Sequence, residues 1–226
     1  MFLLCLCACG LGGCGQNGSS APTPGQVQAS QNLGATYVAI GASDTFGVGS
    51  DDPYTRNWPT DLVILLKQRF HLINLGIPGI TLHDALSSEL PIALDSHPTL
   101  ITVWLAVNDL AARVSVSNYQ RDLNTLLNRL HAAAPRARIA VGNVPDLTSV
   151  PYFYNTNPVT LRATTVAYNT AIASSMASHH AILVDLSGQG YNLQLHPEYL
   201  SDDGLHPSDL GYFQLAQLFY NALRAA

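Results

Sequence analysis

The sequence predicts one α/β domain, a three-layer α/β/α sandwich around a parallel sheet of about five strands. Three observations predict it. Short apolar runs alternate with helix-patterned stretches from residue 35 to the end. The runs are continuously apolar, as strands covered on both faces are. Residues 35–226 suffice for one domain with a large core and argue against two.

The first run is Ala35-Thr-Tyr-Val-Ala-Ile-Gly41, rich in strand formers and closed by glycine. Asn57-Trp58-Pro59 opens a helix through about Phe70, with proline near the first turn. His71 to Leu75 is a second strand, stopped by Gly76. Thr81 to about Leu94 has helical spacing, with Thr81 as N-cap and Asp84 three residues on. Thr99 to Ala106 is the strongest strand pattern in the chain. Ser117 to about Ala134 is an amphipathic helix with Tyr119, Leu123, Leu126, Leu127 and Leu130 on one side. Arg138 to Val141 is a fourth strand, Pro158 to about Ser178 a helix, Ala181 to Asp185 a fifth strand, and Pro207 to about Leu223 a last helix.

The domain is globular: 47% of residues are hydrophobic and 11% charged. A net charge of -5, with ten Lys+Arg scattered singly, speaks against nucleic acid as a partner. Cys5, Cys7, Cys9 and Cys14 are the only cysteines, so residues 35–226 carry neither a disulfide framework nor a thiolate metal site.

Residues 1–14 have the apolar core of a signal peptide, too short to span a bilayer, which needs roughly 20 residues. Leu11-Gly12-Gly13-Cys14 resembles a bacterial lipobox, which implies lipidation of Cys14; no Lys or Arg precedes the apolar run. Residues 15–34 are polar and Gly/Ser/Pro-rich, the composition of a flexible linker. The expectation is an exported domain, membrane-anchored through Cys14 or else secreted.

Four islands carry chemistry: Gly41-Ala42-Ser43-Asp44-Thr45-Phe46-Gly47, Asn74-Leu75-Gly76, Ala106-Val107-Asn108-Asp109 and Asp203-Gly204-Leu205-His206-Pro207. Ser43, Gly76, Asn108 and Asp146 each follow a strand at its carboxyl end, where sites form in open parallel sheets. Together the islands supply what acyl transfer requires: a nucleophile, oxyanion donors, a base and a group to orient the base. Ser43 follows a glycine that lets the chain bend; the plain alternative for a loop serine is a turn or helix cap. The Ser43 and Gly76 N–H groups and the Asn108 amide can donate to an oxyanion; Asn108-Asp109 also fits an N-cap, and Asp109 is given no chemistry. Asp203, three residues before His206, can reach the far ring nitrogen if the Gly204 turn is tight, with Asp202 as the competing orienter. His196 with Glu198 near Asp202 is a weak metal signal, without a His-Glu-x-x-His pattern, and no metal is expected.

On these islands the chain resembles the SGNH hydrolases, also called the GDSL esterase/lipase family, over nearly all of residues 35–226. The resemblance implies a flavodoxin-like α/β/α domain and ester hydrolysis without a cofactor. It also implies Ser43 as nucleophile, Gly76 and Asn108 in the oxyanion hole, and Asp203 with His206. Ala42 stands where the family usually has the aspartate of Gly-Asp-Ser, and Ala106 where its third block usually has glycine. The implied partners are small-molecule, glycan or lipid esters. A carbohydrate deacetylase or acyltransferase would use the same residues, and a glycan- or lipid-binding surface lipoprotein is the alternative of another class. Pro151 to Pro158 is an aromatic loop that either walls an acyl pocket or simply packs on the domain, and no long amphipathic lid is evident.

Overall fold

A computed structural model describes residues 35–226. The signal-like segment, Cys14 and the linker lie outside the described residues. Five strands form one parallel sheet: β1 (Thr36–Gly41), β2 (His71–Asn74), β3 (Leu100–Trp104), β4 (Arg138–Gly142) and β5 (Ile182–Val184), in the order β2-β1-β3-β4-β5. All four strand pairs are parallel, as the sequence predicts. The order reverses at β1, so the loops after β1 and β3 face a shared crevice at the carboxyl edge.

In chain order the helices are α1 (Ser43–Phe46), α2 (Trp58–Leu66), α3 (Leu82–Ser88), α4 (Leu90–Asp95), α5 (Val107–Ala111), α6 (Val116–Ala133), α7 (Pro158–His179) and α8 (Asp209–Ala225). α2 and α8 pack together on one face of the sheet; α3, α4, α6 and α7 cover the other. The Trp58 and Phe219 rings stack at 4.3 Å and join α2 to α8. The Tyr119 and Tyr168 rings, 4.8 Å apart, join α6 to α7.

Two helices differ from the periodic reading. The stretch after the Thr81 cap is broken into α3 and α4, because Pro91 brings no N–H to continue the ladder. α2 stops at Leu66, because Lys67 turns left-handed with φ 53°. Phe70 therefore leaves the helix and packs edge-on against Tyr37, 6.1 Å away.

Buried polar groups tie the layers to the sheet. The Tyr37 hydroxyl meets the Thr102 hydroxyl at 2.8 Å, and the Tyr119 hydroxyl donates to the Leu105 carbonyl at 2.6 Å. Glu89, fully buried at the α3–α4 break, accepts from the Gly41 N–H at 3.4 Å, and its second oxygen has no partner among the described residues. Burial pushes the Glu89 carboxyl up to about 8, against the smaller opposing effect of the Gly41 N–H.

A carboxyl raised from its ordinary 4.5 to about 8 favours the folded state least when ionised. Its contribution is fully present below pH 4.5 and is lost as pH rises toward 8. The predicted slope between these limits is at most about 1.4 kcal/mol per pH unit. Glu89→Gln removes that slope, so urea unfolding should show the variant gaining on the wild type between pH 5 and 8. Parallel stability curves would contradict the neutral buried acid.

Candidate active site

α1 begins at Ser43, two residues beyond the end of β1, and Ser43 is 8% exposed. Ala42 before it has φ -100° and is buried. The Ser43 N–H opens the helix and has no partner among the described residues. Ala106, where the family usually has glycine, has φ 175°, extended backbone open to any residue.

His206 comes from a loop that folds back on itself ahead of α8. Leu200 and Pro207 form an antiparallel bridge, the Ser201 N–H donates to the His206 carbonyl at 2.9 Å, and the Gly204 N–H to the Ser201 carbonyl at 3.1 Å. Gly204 sits at φ 71°, where glycine carries no steric penalty, and a Cβ there would lie 2.9 Å from Pro151. Within this turn one Asp203 oxygen accepts from the Leu205 and His206 N–H groups at 2.8 and 2.9 Å. The other lies 2.6 Å from His206 Nδ1. The opposite ring nitrogen, Nε2, lies 2.9 Å from Ser43 Oγ.

The structure thus brings Ser43, His206 and Asp203 into one hydrogen-bonded chain. Asp202 is exposed and takes no part in it. Partial burial opposes ionisation of Asp203, but the backbone and ring N–H donors outweigh it and lower the carboxyl to about 2. Asp203 is therefore a fixed anion at neutral pH. With Nδ1–H donated to Asp203, Nε2 is left as the acceptor for the serine proton.

Asn108 lies in the first turn of α5, and its amide donates one hydrogen to the Ile80 carbonyl at 2.9 Å. An amide carries two, and Asn108 lines the cavity beside Ser43, so the second is available there. Asp109 is structural: 1% exposed, it accepts from the Leu82 N–H at 3.0 and 3.3 Å and caps α3. Burial pushes it up to about 6. Asn108 and Asp109 together pin the segment around Ile80 and Leu82 to the start of α5.

Gly76 is placed differently from the sequence expectation of a free donor. Its N–H donates to the Asn74 side-chain oxygen at 3.0 Å, while the Asn74 amide donates to the Thr45 carbonyl at 2.7 Å. Asn74 therefore staples the end of β2 to α1. A Cβ on Gly76 would lie 2.4 Å from the Phe46 nitrogen, so only glycine lets the two backbones pass. Sequence reasoning gave Asn74 no role; its signal is an asparagine at a strand end, two residues before glycine, the spacing of an Asx-turn.

The cavity beside Ser43 has a volume of about 30 Å³. Asn108, His206 and Asp44 line it with the apolar side chains of Trp104, Leu147 and Leu193. The aromatic loop packs on the domain and leaves this cavity to its neighbours: Phe153 is buried, and Tyr152 and Tyr154 are exposed. The loop still bears on the site, since the Tyr152 N–H donates to the Gly204 carbonyl at 3.1 Å and braces the histidine turn.

His196 is engaged away from this centre. It lies 2.9 Å from Glu198 and stacks on Tyr199 at 4.7 Å. Among the described residues no group of three His, Cys, Asp or Glu side chains is arranged to hold a metal. None of the described helices is long and apolar enough to cross a membrane.

Comparison with known proteins gives the same fold. A family 3 carbohydrate esterase from Clostridium thermocellum superposes with a TM-score of 0.66 at 19% identity, covering 84% of this chain and 98% of its own. A variant of the acetyl xylan esterase Axe2 from Geobacillus stearothermophilus gives 0.69 at 19% identity, covering 84% and 94%. The psychrotrophic esterase EstA from Pseudoalteromonas sp. gives 0.66 at 18% identity, covering 84% and 97%. No curated protein sequence matches the chain. The model of the GDSL-like lipase/acylhydrolase family matches residues 39–213, a span that runs from β1 into α8 and contains all four islands. With a serine, an oriented histidine and an open cavity at the carboxyl edge of its sheet, this chain belongs to the GDSL-like lipase/acylhydrolase family and is a carboxylic ester hydrolase.

Proposed function

We propose that the chain hydrolyses esters of short acyl groups through an acyl-enzyme on Ser43. The observation that carries this reading is the unbroken chain from Ser43 Oγ through His206 to Asp203, at 2.9 and 2.6 Å. His206 Nε2 takes the serine proton as Ser43 Oγ attacks the ester carbonyl. The imidazolium so formed is stabilised by the Asp203 anion. The Ser43 N–H and the Asn108 amide donate to the oxyanion, and the Gly76 N–H joins them by exchanging the Asn74 oxygen for it. His206 then protonates the leaving alcohol, and water repeats the attack on the acyl-enzyme.

What supports a short acyl group is the cavity of about 30 Å³ beside the serine. Two of the similar structures are a carbohydrate esterase and an acetyl xylan esterase, in keeping with an acetylated polyol as substrate. In this reading the protein is a small-acyl esterase or deacetylase rather than a lipase.

Hydrolysis of p-nitrophenyl esters from C2 to C16 tests the reading. Turnover should be highest at C2–C4 and vanish in Ser43→Ala, while Asp203→Asn retains part of it. Retained turnover in Ser43→Ala, or an optimum at long chains, would contradict it.

We further infer that the domain is exported and anchored by lipid on Cys14, with residues 15–34 as tether. The Leu-Gly-Gly-Cys sequence after an apolar run supports this. A fatty-acid analogue should label the wild type and not Cys14→Ala; equal labelling would contradict the anchor.

A further inference from the structure

Asp44 is the second residue of α1, directly after Ser43, and the reaction described so far does not use it. It lines the cavity that Ser43, Asn108 and His206 line, and a smaller one beside it shared with Ala106 and Asn108. It is only half-buried, so it reaches open space through these cavities. Its carboxylate accepts from its own backbone N–H and has no salt-bridge partner among the described residues.

A carboxylate facing a largely apolar cavity is costly unless something that enters the cavity satisfies it. The charged groups that bear on it are His206, which favours its ionisation, and Asp203, which opposes it. Nearby Tyr191 and Tyr212 are themselves held protonated, in part by the Asp44 charge. Burial, the largest influence, pushes Asp44 up to about 6, so it is predominantly an anion at pH 8 and neutral at pH 5.

We propose that Asp44 is a charge filter for the ester substrate: it favours alcohols with hydrogen-bond donors or positive charge beside the scissile bond and disfavours alcohols bearing a carboxylate. A donor, such as a neighbouring hydroxyl of a polyol, adds a partner from the cavity side to a carboxylate that otherwise has only its own backbone N–H. A second carboxylate brought into the same partly desolvated space meets like-charge repulsion, worth roughly 10–100-fold in kcat/KM. The inference rests on Ser43 being the nucleophile, since only then does Asp44 sit beside the scissile bond.

Three acetate esters of matched shape test it: those of 3-hydroxybenzoate, 3-hydroxybenzamide and 3-hydroxy-N,N,N-trimethylanilinium. The cation-to-anion ratio of kcat/KM is compared between wild type and Asp44→Asn at pH 8, which cancels the intrinsic reactivity of the esters. The ratio should fall roughly 10–100-fold in the variant. In the wild type it should also fall as pH drops from 8 to 5, because Asp44 takes up a proton while His206 affects all three esters alike. The wild-type series decides the matter even if the variant does not fold. A ratio unchanged by Asp44→Asn, or flat with pH, in an enzyme whose turnover still requires Ser43 would overturn the filter alone. Turnover that survives Ser43→Ala would overturn the reading beneath it, and the filter with it.

Discussion

The hydrogen bond between His206 and Ser43 joins residues 163 positions apart, and the arrangement of the site depends on closing that distance to 2.9 Å. A flexible chain would form such a contact rarely, because loop closure must be offset by structure on both sides. The parallel sheet supplies one side by delivering Ser43 at the end of β1. The turn before α8 supplies the other: Asp203 accepts from two backbone N–H groups of its own loop, which fixes the carboxylate before it meets the ring. The Ser43–His206–Asp203 geometry is thus built from local bonds on each partner, with one long-range bond between them.

The same principle explains where polar groups are buried. Asn74 holds α1 to β2, Asn108 and Asp109 hold α5 to the segment before α3, and Glu89 lies behind the turn at Gly41. Each uses a buried or part-buried hydrogen bond to hold a backbone that would otherwise be free to shift near the serine. The raised carboxyls of Glu89, Asp109 and Asp44 mark the cost of this arrangement. Asp44 differs from the other two in that its space opens toward the site rather than onto backbone donors.

Much of this was legible in the sequence because strand ends and loop motifs are local. The five apolar runs gave the sheet, and the Asp-x-x-His spacing around Gly204 pointed to Asp203 with Asp202 beside it; only the folded turn separates the two. The break between α3 and α4 was present as Pro91 but masked by the surrounding helical spacing. α1 and α5 escaped because helices of four and five residues carry no measurable period. The engagement of the Gly76 N–H by Asn74 was invisible for another reason: it depends on how closely two backbones pass, which no single island encodes. The cavity walls were equally hidden, since Trp104, Leu147 and Leu193 come from separate segments that meet only in the fold.

The central claim is that Ser43 is activated by His206 and becomes acylated. Reaction with a fluorophosphonate, followed by intact mass and peptide mapping, tests it most directly. The account predicts one adduct per chain, located on Ser43, absent in Ser43→Ala and strongly slowed in His206→Ala. An adduct on another residue, or ester turnover undiminished in a protein fully modified at Ser43, would contradict it.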